Sequence, residues 1–441
     1  MAPPNISFSA RLDGFRDPPL QLSHLKTWYQ TFEPLNTITD TTPIIFSIPP
    51  CDQFINLSRT RFKIRVKITD AEGGDLAAGD DNQVALVCNP IGAIFKHVKL
   101  LIGGTPVTSG NDIYPYKSFT DTLFSATAES ASTLHLSGFH LDSADNTNAA
   151  GAGHNTGFAK RAEMANRSKV MEFSARPSLD ILKQGRNMLD NTKLEFIFYP
   201  NDHTFAIQKD PACAKNVKIK ILDAKLILKK EELDPSVQNI IHEKLAEKHW
   251  ALHYPTTVGK IFNIAEGSYQ FTASNVFLGK IPNTVLVFFV RAESFTGTYG
   301  SNPFWINPSN LIKEIIITKD GIPLPNLKPS SINLDPDGDT GLQLTDTYES
   351  LLDTLGIGGL VSKGLIFLPS ELANGLFFYG ANLHPDTEND GHLSPARTGN
   401  IDVQVKYSAA LGAVYEMVVL GEFDITTEIT ESRSCIHTFT I

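Results

Sequence analysis

The sequence predicts an all-β protein made of two β-sandwiches of roughly 200 residues each, joined near the middle by one helix. Three observations carry this. Segments of strict apolar–polar alternation recur along the chain, separated by Gly, Pro, Asn and Asp turns. The one segment with strong helical spacing and capping, Leu233 to Trp250, has such strands on both sides. The 441 residues also exceed what a single hydrophobic core organises.

The elements follow in order. In "TRFKIRVKIT", Phe62, Ile64, Val66 and Ile68 alternate with Arg61, Lys63, Arg65 and Lys67, so a strand here buries one face and turns a basic face outward. "FKHVKLLIGGTPV" reads as a hairpin with Gly103-Gly104 at its turn. "NTKLEFIFYP" alternates Leu194, Phe196 and Phe198 and stops at Pro200. In "VKIKILDAKLILKK", Val217, Ile219 and Ile221 alternate, then the phase slips by one onto Leu222, Ala224, Leu226 and Leu228, which predicts a bulge inside a strand or a bend between sheets. The helix comes next. Asp234 suits the N-cap and Pro235 the first helical position, while Val237, Ile240, Ile241 and Leu245 form one apolar stripe expected to lie beside the first sandwich. Beyond it, "NTVLVFFVRAE" reads as a buried strand and "LIKEIIITKDGIPLP" as a strand with Asp320-Gly321 at its turn. "GNIDVQVKYSAA" alternates Ile401, Val403, Val405 and Tyr407, and "YEMVVLGEFDITTEI" is the last strand run. The two halves do not align residue by residue. Two stretches, about 125–168 and about 354–399, are too long for hairpin loops and are expected to be insertions with a surface role. Met1 to Gln21 lacks periodicity and reads as an arm.

Composition excludes several classes. With 38 basic and 48 acidic residues the net charge is -10, which argues against a protein that coats nucleic acid through its overall field. Cys51, Cys88, Cys213 and Cys435 are too far apart for a CxxC motif and too few for a disulfide scaffold. No apolar run approaches the ~18 residues of a membrane span, and folding in the cytoplasm or nucleus is expected. The sequons at Asn5, Asn56 and Asn166 then carry no expectation of glycosylation.

Motifs for chemistry are incomplete. "GIGGLVSKG" has Gly356 and Gly358 but Val361 in place of the third glycine of a dinucleotide fingerprint. "NLDPDGDTG" gives Asp335, Asp337 and Asp339 the spacing of the first three calcium ligands of an EF-hand, yet Thr340 replaces the turn glycine and Asp346 the closing glutamate. GxSxG and HExxH are both missing, and the neighbours His242 and Glu243 diverge on a helix. The 27 phenylalanines against 3 tryptophans point to packing. Trp305, in "NPFWIN", is the one candidate for an aromatic sugar platform. No catalytic residue and no cofactor is assigned, and an enzyme is not expected.

The ordered segments are the informative feature. "TTPIIFSIP", "DQFINLSRTRFKIRVKIT", "NPIGAIFKHVKLLIGGTPV" and "YPYKSFTDTLF", then "ILDAKLILKKEELDPSV", "HEKL" and Tyr254-Pro255, then "GTYGSNPFWI", "DGIPLP" and "YESL" together resemble the double jelly-roll major capsid protein of Polinton (Maverick) elements and adintoviruses. The resemblance runs from about Trp28 to the C-terminus. It departs at "IPPCDQFINL", where Pro50 and Cys51 replace small residues.

The resemblance implies that each half is a jelly roll, with the helix at the junction. The expected division is an arm over 1–38, a first jelly roll over 39–249 ending in the helix 234–248, and a second over 250–441. It further implies a homotrimer of pseudo-hexameric outline, whose heterologous contacts bury above ~2,000 Å² each. The implied partners are neighbouring capsomers, a penton or minor capsid protein, and enclosed double-stranded DNA bound without sequence specificity, all within a virion. The insertions would be outward towers that clasp neighbours, and the arm would tie adjacent trimers or touch minor capsid proteins. The alternatives are a minor capsid protein and a ligand- or carbohydrate-binding β-sandwich.

Overall fold

The computed structural model describes residues 20–108, 113–127, 130–307, 311–323, 330–331, 341–357, 365–384 and 395–437. Alternation along the chain produces what it predicts. In the strand Phe54–Asp70, Phe62, Ile64, Val66 and Ile68 are all fully buried. This strand lies in a four-stranded antiparallel sheet between Val217–Leu233 and Met171–Ala175, with His24–Phe32 on the far side of Val217–Leu233. The facing sheet has the order Ile44–Ile48, Leu194–Pro200, Phe95–Ile102 and Thr105–Pro106. Phe46, Phe62, Phe95 and Phe198 fill the space between the two, with Phe62 and Phe198 stacked at 4.4 Å between ring centroids.

The second half repeats this plan. One sheet runs Trp250–Ile264, Tyr415–Ile429, Thr284–Arg291 and Tyr379–Asn382, with Cys435–His437 added to Tyr415–Ile429. The other runs Gln270–Lys280, Thr398–Tyr407, Ile312–Lys319 and Ile322–Pro323, with Ser330–Ser331 added to Ile312–Lys319. In each half the first strand pairs with the last long one, and the same tight hairpin recurs, at Gly103-Gly104 and at Asp320-Gly321. Gly103, Gly104, Asp320 and Gly321 all have positive φ, the left-handed conformation a two-residue hairpin demands. The duplication is legible in strand order although the halves resist alignment.

Several expectations are met in detail. The register of Val217–Leu233 shifts between Ile221 and Asp223, where the hydrophobic phase slips, and Leu222 at the slip is exposed. The junction helix spans Pro235–Glu247, and the Asp234 side chain accepts from the Ser236 amide at its N-terminus. Leu245 is buried and Val237 and Ile241 pack on the core. Ile240 departs from the expected stripe: it is 51% exposed, because the helix rests on the sandwich along a narrow line.

Other expectations are corrected. The arm drawn through residue 38 contains the strand His24–Phe32, paired antiparallel with Val217–Leu233 in unbroken register from Lys26 to Phe32 and with one shift between His24 and Lys26; Trp28 and Phe32 alternate too sparsely to announce it. The insertion drawn at 354–399 contains the strand Tyr379–Asn382, which completes a sheet through Thr284–Val287. The chain also holds more helix than the one at the junction. Tyr114–Ser125 and Gly341–Thr354 follow the short hairpins of the two halves in equivalent places. Thr156–Ala165 is capped by the Asn155 side chain, which accepts from the amides of Gly157 and Phe158.

Candidate functional site

The helix Tyr114–Ser125 lies between the sandwiches, and its apolar residues Tyr116, Phe119 and Leu123 are fully or nearly buried. Tyr116 stacks on Phe295 at 5.3 Å, Phe119 stacks on Phe304 at 4.7 Å, and Phe124 meets Phe378 edge-on at 5.1 Å. The rings on the far side of each pair belong to the second half. One core therefore continues from Phe46 and Phe62 through this helix to Phe288 and Leu420, and the two sandwiches form one block.

Three polar nodes reinforce the seam. In the first, Lys117 binds Asp121 and Asp180, each at 2.7 Å, while Lys183 binds the same two carboxylates at 2.8 and 3.2 Å. The Asp180 carboxylate also accepts from the Thr257 amide of the second half at 2.9 Å. Burial lowers the proton affinity of the Lys117 ammonium, but Asp121 and Asp180 more than offset it and hold the group above its ordinary range.

The second node centres on Asp190, which is 0% exposed. It accepts from Gln238 at 2.8 Å, pairs with His242 Nε2 at 2.9 Å, and binds Arg433 Nη2 at 2.8 Å, while Arg433 Nε donates to the Asp190 carbonyl at 2.8 Å. Gln238 and His242 stand one turn apart on the junction helix, and Arg433 stands between the second half's strands Tyr415–Ile429 and Cys435–His437. The helix is thus a clamp that joins first sandwich, junction and C-terminal hairpin through one carboxylate. His242 has its partner here and forms no acid–base pair with Glu243.

The third node is Arg161, 2% exposed, in the helix Thr156–Ala165. Its guanidinium donates to the carbonyls of Leu86 and His140, to Asp142 and to Gln208, at 2.6 to 3.0 Å. Asp142 accepts in turn from Asn302 at 2.8 Å, across the seam. The described part of the 125–168 insertion is therefore fastened down onto both halves of its own chain. Within it the rings of His135 and His140 stack at 4.5 Å, and burial, aided by His135 and Arg161, pushes the His140 pKa down to about 4.

The remaining sequence candidates are dispersed. The basic face of Phe54–Asp70 is met by acids and rings: Lys67 binds Asp75 at 2.6 Å, Arg65 lies 3.9 Å from Glu172, and Arg61 covers the Tyr29 ring at 5.0 Å. Asp335, Asp337 and Asp339 lie outside the described residues, as does Gly358 with Val361. Among the described residues no cluster of three or more His, Cys, Asp or Glu side chains has metal-binding geometry. Trp305 packs one ring face on Gly375 and lines a recess of about 160 Å³ with Asp145 and Arg291. The nodes at Asp190 and Arg161 were missed because their partners lie 48 to 243 residues from Asp190 and 19 to 75 residues from Arg161 in sequence. The helix Tyr114–Ser125 did leave a signal: Pro115 in its first turn, and Tyr116, Phe119 and Leu123 at helical spacing.

No protein-family model matches the chain. An uncharacterized protein of Caenorhabditis elegans is 24% identical over 383 residues, covering 84% of this chain and 87% of the relative. Among solved structures, a chain of the Sputnik virophage matches with a TM-score of 0.60 at 12% identity, over 98% of this chain and 92% of that one. A chain of the PBCV-1 virus capsid matches at 0.59 and 9% identity, over 97% and 100%. The mavirus major capsid protein matches at 0.57 and 13% identity, over 100% and 95%. The overlap spans both sandwiches in each case, so this chain has the double jelly-roll fold of the virophage and giant-virus capsid proteins.

Proposed function

We propose that the chain is a viral major capsid protein, structural and not catalytic, whose homotrimers tile an icosahedral shell around double-stranded DNA. The observation that carries this is the duplicated jelly roll joined by one continuous core, matched over nearly its whole length by double jelly-roll capsid proteins. Two similar sandwiches per chain give six around a threefold axis, so a trimer fills a hexagonal tile. A minor capsid protein would more often need one sandwich. The ordered motifs of the sequence support attribution to a Polinton or adintovirus element, and a relative in a nematode accords with it. The partners in this reading are neighbouring capsomers and a penton or minor capsid protein, and the place is the virion.

Light scattering on the purified chain, followed by negative-stain imaging, tests the reading. A species of three times 48.4 kDa with a hexagonal outline is expected. A monomer that stays monomeric over a range of salt and pH would overturn it.

A further inference from the structure

Between the two sandwiches lies a cavity of about 550 Å³, within the range of small-molecule sites. Glu422 lines it from the strand Tyr415–Ile429, with Thr257 and Thr284 beside it in register on the neighbouring strands. Phe124, Leu286 and Leu420 supply an apolar wall.

The charges around Glu422 are not balanced. Facing it are Lys117, Lys183, Asp121 and Asp180, and the two lysines are already committed to the two aspartates. Among the described residues no hydrogen bond or ion pair reaches the Glu422 carboxyl. Arg176 lines the same cavity from an exposed position, where water screens it. One carboxylate therefore stands unmatched against a half-apolar space. A hard divalent cation is a poor fit, since it asks for six or more oxygen ligands and the other two carboxylates are held by lysines. An ammonium group on an alkyl chain satisfies both the charge and the wall.

We propose that this cavity binds a primary alkylammonium compound, its ammonium on the Glu422 carboxylate between the Thr257 and Thr284 hydroxyls and its chain along Phe124, Leu286 and Leu420. Binding requires the ionised carboxylate. Burial, with Asp180 and Asp121 adding to it, pushes the Glu422 pKa up to about 7, so the site charges between pH 6 and 8.

Titration calorimetry with n-butylammonium on the purified chain tests this, and it reads binding whatever the oligomeric state, so its outcome is separate from that of the capsid reading. Expected are binding at pH 8, about tenfold weaker binding at pH 6 as the ionised fraction falls, and no comparable binding of n-butanol. Glu422→Gln, an isostere of the protonated group, should keep the parent's solution mass and lose the binding. Affinity that is equal at both pH values, survives in Glu422→Gln, is matched by n-butanol, or is missing at pH 8 overturns the proposal. If Glu422→Gln fails to fold, the pH and n-butanol comparisons on the parent chain decide.

Discussion

Replacing Arg433 by alanine should release the C-terminal hairpin and the junction helix together. Arg433 makes two hydrogen bonds to Asp190, whose side chain is 0% exposed, and is itself only 18% exposed. Removing one partner of a buried ion pair leaves a desolvated charge behind and costs about 3–5 kcal/mol. The lower end applies, because Gln238 and His242 still serve the carboxylate. A loss of about 3 kcal/mol raises the open population on the order of 100-fold. Native-state hydrogen exchange reads this directly: amides of Pro235–Glu247 and Cys435–His437 should exchange faster by that factor, while those of Phe54–Asp70 change little. A double-mutant cycle with Asp190→Asn isolates the pair, and about 2 kcal/mol of coupling is expected. Unchanged exchange at the junction helix, or a coupling within error of zero, would refute the assignment of Asp190 as the clamp.

Four further outcomes are expected. The folded chain keeps a proton on Glu422 between its ordinary value of 4.5 and about 7, where the unfolded chain has lost it, so this group's contribution to stability falls as pH rises through that window; Glu422→Gln should flatten the slope in thermal melts. His140 behaves in the opposite sense: it stays neutral when folded down to about 4, against an ordinary 6.5, so stability is lost as pH drops through that interval, and His140→Gln should lessen the loss. A Cβ at Gly259 would collide with Ile113 Cδ1 across the seam, so Gly259→Val should cost about 1–3 kcal/mol in denaturant melts, with Ile113→Ala partly relieving it. Deleting Met1 to Gln21 leaves the strand His24–Phe32 in place and should spare the trimer while impairing shell assembly seen by electron microscopy; unchanged assembly would remove the arm from the lattice contacts.

In the proposed capsid role, a tile that must hold its outline while neighbours pull on it needs its two sandwiches fixed relative to each other. The aromatic helix and the three polar nodes supply that fixation from inside the chain.

The sequence by itself determined the strictly alternating strands, the irregularity at Ile221 to Asp223, both hairpin turns and the capped junction helix, because each depends on residues within a few positions of one another. The ordered motifs extended that reading to the double jelly roll. Only the tertiary structure decided what lies between the sandwiches. Lys117 and Glu422 sit in no local pattern that announces a role, and Asp190 and Arg433 are 243 residues apart. Their meaning arises when folding removes water from around them and makes each charge depend on a partner that local pattern cannot reveal. The strand His24–Phe32 was hidden for a related reason: it is an exposed edge, held by backbone hydrogen bonds to Val217–Leu233, and such bonds leave little trace in side-chain alternation.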